Sequence, residues 1–143
     1  MIPHFFWLCN VTGFRVGKSL TFSDGTTSAY TFSSMNRAVM DTGTSLFYVP
    51  SGMWTTFVKT VMKGISYDVY SNLVVATCDT SKYKSIYVVI DGYYLEITPE
   101  NYVLTVDIGM PGYCLLGFTK NSGNYWLMGD SFLRNFYTIW DEE

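Results

Sequence analysis

The chain has 143 residues, 48% of them hydrophobic and 15% charged, with a formal net charge of −3. That length suits one domain with a real core, and the composition excludes a disordered chain. Without a basic run there is no footprint for nucleic acid, no apolar stretch approaches the roughly 20 residues of a membrane span, and "MIPHFFWLCN" lacks the basic leader of a signal peptide.

Aromatic residues make up 18% of the chain, with 12 Tyr and 10 Phe, which favours strands. In chain order, residues 5–8 and 14–22 read as strands. "SDGT" (23–26) lies between "LTF" and "AYTF" and predicts a hairpin, with Asp-Gly supplying the positive φ of a type I′ turn. "RAVMD" (37–41) reads as a buried strand ending in an acid. "PSGMWTTFVKTVMKG" (50–64) is the clearest helix. Met53, Trp54, Phe57, Val58, Val61 and Met62 recur at three and four, Ser51 is placed to cap the start, and Gly64 sits where a C-terminal cap belongs. "SIYVVIDGYYLEIT" (85–98) predicts a hairpin turning at Asp91-Gly92, and "TPENY" (98–102) a single helical turn with Pro99 first. "YCLLGF" and "NYWLMGD" read as further strands, and "DSFLRNFYTIWD" as a short helix returning as a strand. The pattern is all-β with one main helix, in a single module.

The inventory of reactive side chains is narrow. Three cysteines (Cys9, Cys78, Cys114) form no CxxC pair, and His4 is the one histidine. No metal site is expected, and a Ser–His or Cys–His nucleophile is nearly excluded, since His4 lies in a fraying terminus. Chemistry in this chain has to use carboxylates. Asp41 stands out, at the end of an apolar run and followed by Thr42, Gly43, Thr44 and Ser45. These are turn formers, so an Asx turn bonding its own backbone accounts for them. A carboxylate held by the hydroxyls and by backbone N–H groups near Gly43 accounts for them too. A second apolar run, Leu127-Met128-Gly129, ends in a glycine that permits close backbone approach.

Taken together, Asp-Thr-Gly-Thr-Ser, the helix opening at "PSG", "VVIDGYYLEITPENYVL" and "YWLMGDSFLRNFYTIWD" resemble the C-terminal lobe of pepsin-like aspartic endopeptidases. The resemblance covers nearly the whole chain, from about Phe5 to Asp141; the combination is specific, although D-T-G alone is not. It implies the fold of one lobe of the bilobal acid proteases, with residues 1–143 as a C-terminal lobe cut at both ends. Asp41 then matches the catalytic aspartate, Thr42 a threonine bracing the two active-site loops, and Thr44 a hydroxyl bonding the carboxylate. Gly43 and Ser45 complete that loop, and Leu127, Met128 and Gly129 match the segment supporting it. Phe6, Val39 and Leu127 fall where the family lines apolar substrate pockets, with Thr44 beside them; plain core packing is the other reading for Phe6, Val39 and Leu127. Cys78 and Cys114 fall where the family places a disulfide, although three cysteines allow three pairings. Cys9 is left as a strand thiol, and the "NVT" sequon at Asn10 starts in a strand, which argues against its occupancy.

The activity implied is hydrolysis of a peptide or protein by water between two aspartates at acid pH, with no cofactor. Two carboxylates about 3 Å apart share one proton, so each supplies what the other lacks. This sequence holds one D-T-G. The second aspartate and the flap over the substrate belong to an N-terminal lobe, the expected partner. Nucleic acid and membrane are not expected partners, and the implied location is the secretory pathway, lysosomal or vacuolar, or extracellular. Two other readings stay open: a non-catalytic lobe that binds an extended peptide, and a homodimer pairing two copies of Asp41.

Overall fold

The computed structural model describes residues 8–32, 37–41, 43, 46–90, 92–105 and 108–129. Eleven strands form one continuous hydrogen-bonded sheet among these residues. They are β1 (Leu8–Val16), β2 (Ala29–Thr31), β3 (Arg37–Met40), β4 (Phe47–Val49), β5 (Tyr67–Tyr70), β6 (Leu73–Thr77), β7 (Ile86–Ile90), β8 (Tyr93–Ile97), β9 (Val103–Leu104), β10 (Tyr113–Lys120) and β11 (Trp126–Met128). The main path runs β5-β6-β10-β4-β11-β3-β1-β7-β8, with β2 paired to β1 and β9 to β10. The principal helix is α1 (Trp54–Val61); α2 (Pro99–Tyr102) is one turn, opened by Pro99 as the sequence predicts. This is the single-lobe, all-β architecture expected.

One topological detail places the site. Strand β11 lies between β3 and β4, two strands that follow each other in the chain. It pairs parallel to β3 (Trp126 with Ala38, Leu127 with Val39, Met128 with Met40) and antiparallel to β4, where Leu127 faces Tyr48. Asp41, which directly follows β3, therefore lies beside the C-terminal end of β11.

The core is aromatic and centres on the helix. The apolar stripe read from the sequence buries Phe57, Val58 and Val61, with Met62 just beyond. The Phe57 ring meets Phe14 and Phe118 at 5.1 Å, Phe47 at 5.9 Å and Trp126 at 6.0 Å between centroids. Such tilted and edge-on contacts each add about 0.5–1.5 kcal/mol beyond burial. Gly13 of β1 lets β2 come close: a Cβ there would stand 2.3 Å from the Tyr30 carbonyl oxygen.

Cys78 and Cys114 form a disulfide with Cα atoms 5.1 Å apart, tying the end of β6 to β10 across 36 residues of chain. In the chain-entropy account such a loop contributes roughly 3–4 kcal/mol. The double variant Cys78→Ser/Cys114→Ser is expected to lose about that much, read from the unfolding free energy extrapolated to zero urea, with a steeper slope because the denatured chain is no longer cross-linked.

Several local expectations are corrected. The second predicted strand does not run to residue 22: β1 ends at Val16, and Gly17 adopts φ +80°. The turn at 23–26 is not type I′. Positive φ occurs at Gly25 and not at Asp24, and the Gly25 N–H donates to the Phe22 carbonyl at 2.9 Å. That is a type I turn closed by a left-handed glycine, one residue longer than predicted. A two-residue turn with positive φ at both positions occurs instead at Ser71-Asn72, joining β5 to β6, a hairpin the sequence reading did not identify. Ser51 does not cap α1. Its hydroxyl donates to Asn124 Oδ1 at 2.8 Å, and Met53 takes the cap position with no side-chain bond. Gly64 does adopt φ +78° just past the helix. The β7–β8 hairpin forms as predicted, with Ile90 opposite Tyr93. The expectations for residues 5–7, for the Cys9 side chain and for 130–141 lie outside the described residues.

Asp24, in the first of these turns, carries an acid-sensitive contact. Its carboxylate pairs with Lys63 Nζ at 2.7 Å and accepts from the Thr26 hydroxyl at 2.6 Å and the Thr26 N–H at 3.0 Å. The Lys63 ammonium, followed by the Thr26 donors, holds Asp24 well below the ordinary carboxylate range. A lowered folded-state pKa means that the contact stabilises fully above about pH 4, and is lost as pH falls through the folded value. Asp24→Asn is expected to lower the urea midpoint at pH 6, and the difference from the parent chain should shrink steadily as the pH falls below about 4.

Candidate active site

Asp41 follows β3 directly and is half-buried. Two backbone-anchored bonds fix its position. Its N–H donates to the Met128 carbonyl at 3.0 Å, extending the β3–β11 ladder one step, and its Oδ1 accepts from the Gly43 N–H at 2.9 Å. The second bond, from residue i+2 back to the side chain of residue i, is the Asx turn itself. Local turn chemistry and a held carboxylate are thus the same geometry. A Cβ on Gly43 would lie 3.3 Å from that Oδ1, a tight contact.

Beneath the loop, Met128 is fully buried, and Gly129, which follows β11, is buried as well. Leu127 and Val39 are half-buried register partners on the face opposite the buried Ala38, Trp126 and Met128. With Arg37 and Tyr125 they line a cavity of about 280 Å³. Sequence reasoning named Val39 and Leu127 for a pocket and missed Arg37 and Tyr125. The signal was available: each stands two residues before its partner, and alternate residues of a strand share a face. The residues brought together are therefore Asp41, Gly43, Val39, Leu127, Met128 and Gly129. Thr42, Thr44, Ser45 and Phe6 lie outside the described residues. Among the described residues no group of His, Cys, Asp and Glu is arranged to hold a metal ion, and no helix is long and apolar enough to cross a membrane.

The family model for eukaryotic aspartyl protease matches residues 3–143. The chain belongs to the eukaryotic aspartyl protease family. This aspartyl protease chain is 33% identical to pepsin A of Gallus gallus over 110 residues, covering 73% of the chain and 27% of that protein. It is 30% identical to gastricsin of Callithrix jacchus over 111 residues, with the same coverage. Against cathepsin D of Mus musculus it is 28% identical over 145 residues, 96% of the chain and 32% of that protein. The chain thus spans about a third or less of the length of these curated relatives.

Proposed function

We propose that residues 1–143 are the C-terminal lobe of an aspartic endopeptidase and contribute Asp41 as one of two catalytic carboxylates. The observation that carries this reading is the position of Asp41. It directly follows a central strand, its amide is bonded to the strand threaded beside it, and its carboxylate accepts the Gly43 N–H. Membership of the aspartyl protease family supports the same reading.

In the assembled enzyme a second aspartate from the N-terminal lobe shares one proton with Asp41. The ionised carboxylate takes a proton from water as the water oxygen attacks the scissile carbonyl carbon, and the protonated partner gives its proton to the carbonyl oxygen, leaving a gem-diol. Collapse of the gem-diol breaks the C–N bond as the nitrogen takes a proton from one carboxyl group and a gem-diol hydroxyl returns one to the other, which restores the shared proton. No covalent enzyme intermediate forms. Thr44 bonds the Asp41 carboxylate and Thr42 braces the paired loops. Val39 and Leu127, with Phe6, receive an apolar side chain of the peptide beyond the cleaved bond. The Cys78–Cys114 bridge favours an oxidising compartment, in keeping with a secreted or vesicular enzyme.

Sequencing the complete transcript tests the proposal. An upstream coding segment with a second Asp-[Thr/Ser]-Gly is the expected result. A mature message that opens at Met1 and encodes no matching acid would contradict it.

A further inference from the structure

The sequence has no run of basic residues, yet the fold gathers four lysines along one groove. The antiparallel β1–β7 pair brings the end of β1 beside the start of β7, where the Gly17 N–H donates to the Ser85 carbonyl at 2.9 Å. Lys18 and Lys84 therefore meet at a cavity of about 340 Å³ that also includes Phe22 and Ser23. The stem of Lys84 lies against Gly17, where a Cβ would stand 3.1 Å from its Cδ. Phe22, Ser23 and Lys84 also line a second cavity, of about 260 Å³, which takes in Lys63 and Lys82. Lys82, Gly64 and Ile65 continue into a third, of about 360 Å³, reaching Tyr113. The first two cavities share Phe22, Ser23 and Lys84 in their walls, and the second and third share Gly64, Ile65 and Lys82, so the three adjoin in series.

The charge along that groove runs against that of the whole chain. The chain is formally −3, with nine Lys and Arg in all; four of those nine are in the groove. Among the described residues, Asp24 lines the second cavity and Asp79 lies near Lys82. Asp24 is occupied with Lys63 and Thr26, and Asp79 accepts from the Ser81 N–H and hydroxyl at 3.1 and 2.7 Å. Lys18, Lys82 and Lys84 are exposed and make no ion pair among the described residues.

We infer that this groove binds a linear sulfated polysaccharide. Cations lining adjoining cavities match a chain of sulfates better than they match a planar lipid surface, and ammonium groups serve well as point charges for anions. The disulfide favours an extracytosolic setting, where sulfated glycans and not nucleic acids are the abundant polyanions. The groove lies apart from Asp41 and the Val39–Leu127 cavity and shares no residue with them, so the inference stands independently of the proteolytic reading.

Heparin-agarose chromatography of the purified chain at pH 7.5 is the test, repeated over a series of salt concentrations. The chain is expected to be retained despite its net negative charge. Lys18→Ser/Lys84→Ser should lower the slope of log affinity against log salt by about 2, since each lysine releases roughly one counterion. Lys59→Ser/Lys120→Ser makes the same change in net charge outside the groove and should elute with the parent. Equal thermal unfolding of all three proteins establishes that the lysines act at the surface. Flow-through of the parent chain, or equal elution of the two double variants, would overturn the inference. So would binding to phosphatidylserine vesicles without retention on heparin.

Discussion

Asp41→Asn is expected to remove peptide cleavage from the assembled enzyme by a factor on the order of 10⁴, while leaving the lobe folded. The substitution keeps the size of the side chain, and its amide oxygen still accepts the Gly43 N–H that now bonds Oδ1 at 2.9 Å. The backbone bond from residue 41 to the Met128 carbonyl is untouched. What is lost is the ionisable group. An amide neither takes a proton from water nor shares one with a partner carboxylate, so the loss falls on kcat, with the KM for peptide little changed. Steady-state kinetics near pH 4, beside a thermal melt, separates this outcome from unfolding.

The largest effect on stability is expected from Trp126→Ala. Trp126 is fully buried, on the three-residue strand β11 that runs between β3 and β4. Its ring meets Phe57 at 6.0 Å and stacks near Phe32 at 6.1 Å. Removing it leaves a large cavity under the strand whose carbonyl, two residues on, positions Asp41; losses of this kind run to about 3–5 kcal/mol. Tyr125→Ala, one residue earlier and 38% exposed, should stay within about 0.5 kcal/mol. Urea titration of the two variants gives the comparison, and similar midpoints would mean that β11 is not held by its inward face.

Where the sequence was legible, the reason is periodicity or a compact motif. The stripe through Phe57, Val58 and Val61 fixes the buried face of α1, and the Asp-Gly pair in the sequence marks the β7–β8 hairpin, because both signals depend on near neighbours. Asp41 and Leu127-Met128-Gly129 were legible as motifs. Their adjacency was not contained in either segment, since it depends on β11 entering between β3 and β4. Ser51 illustrates what local reasoning misses. It has the right residue type for a cap, but Asn124, distant in sequence, takes its hydroxyl and also accepts the Gly52 N–H at 3.1 Å. The Ser71-Asn72 turn escaped because its left-handed positions hold no glycine. The lysine groove escaped because Lys18, Lys63, Lys82 and Lys84 become neighbours only when β1 has paired with β7 beside the end of α1.

The central claim is that the Asp41 carboxylate works only with a second one from another polypeptide segment. Refolding the chain alone, and together with an N-terminal lobe of an aspartyl protease, followed by a peptide-cleavage assay near pH 4, tests it most directly. No turnover is predicted from the chain alone, and turnover that Asp41→Asn abolishes is predicted from the mixture. Cleavage by the isolated chain in simple proportion to its concentration, or an undiminished rate from the Asp41→Asn mixture, would contradict the account.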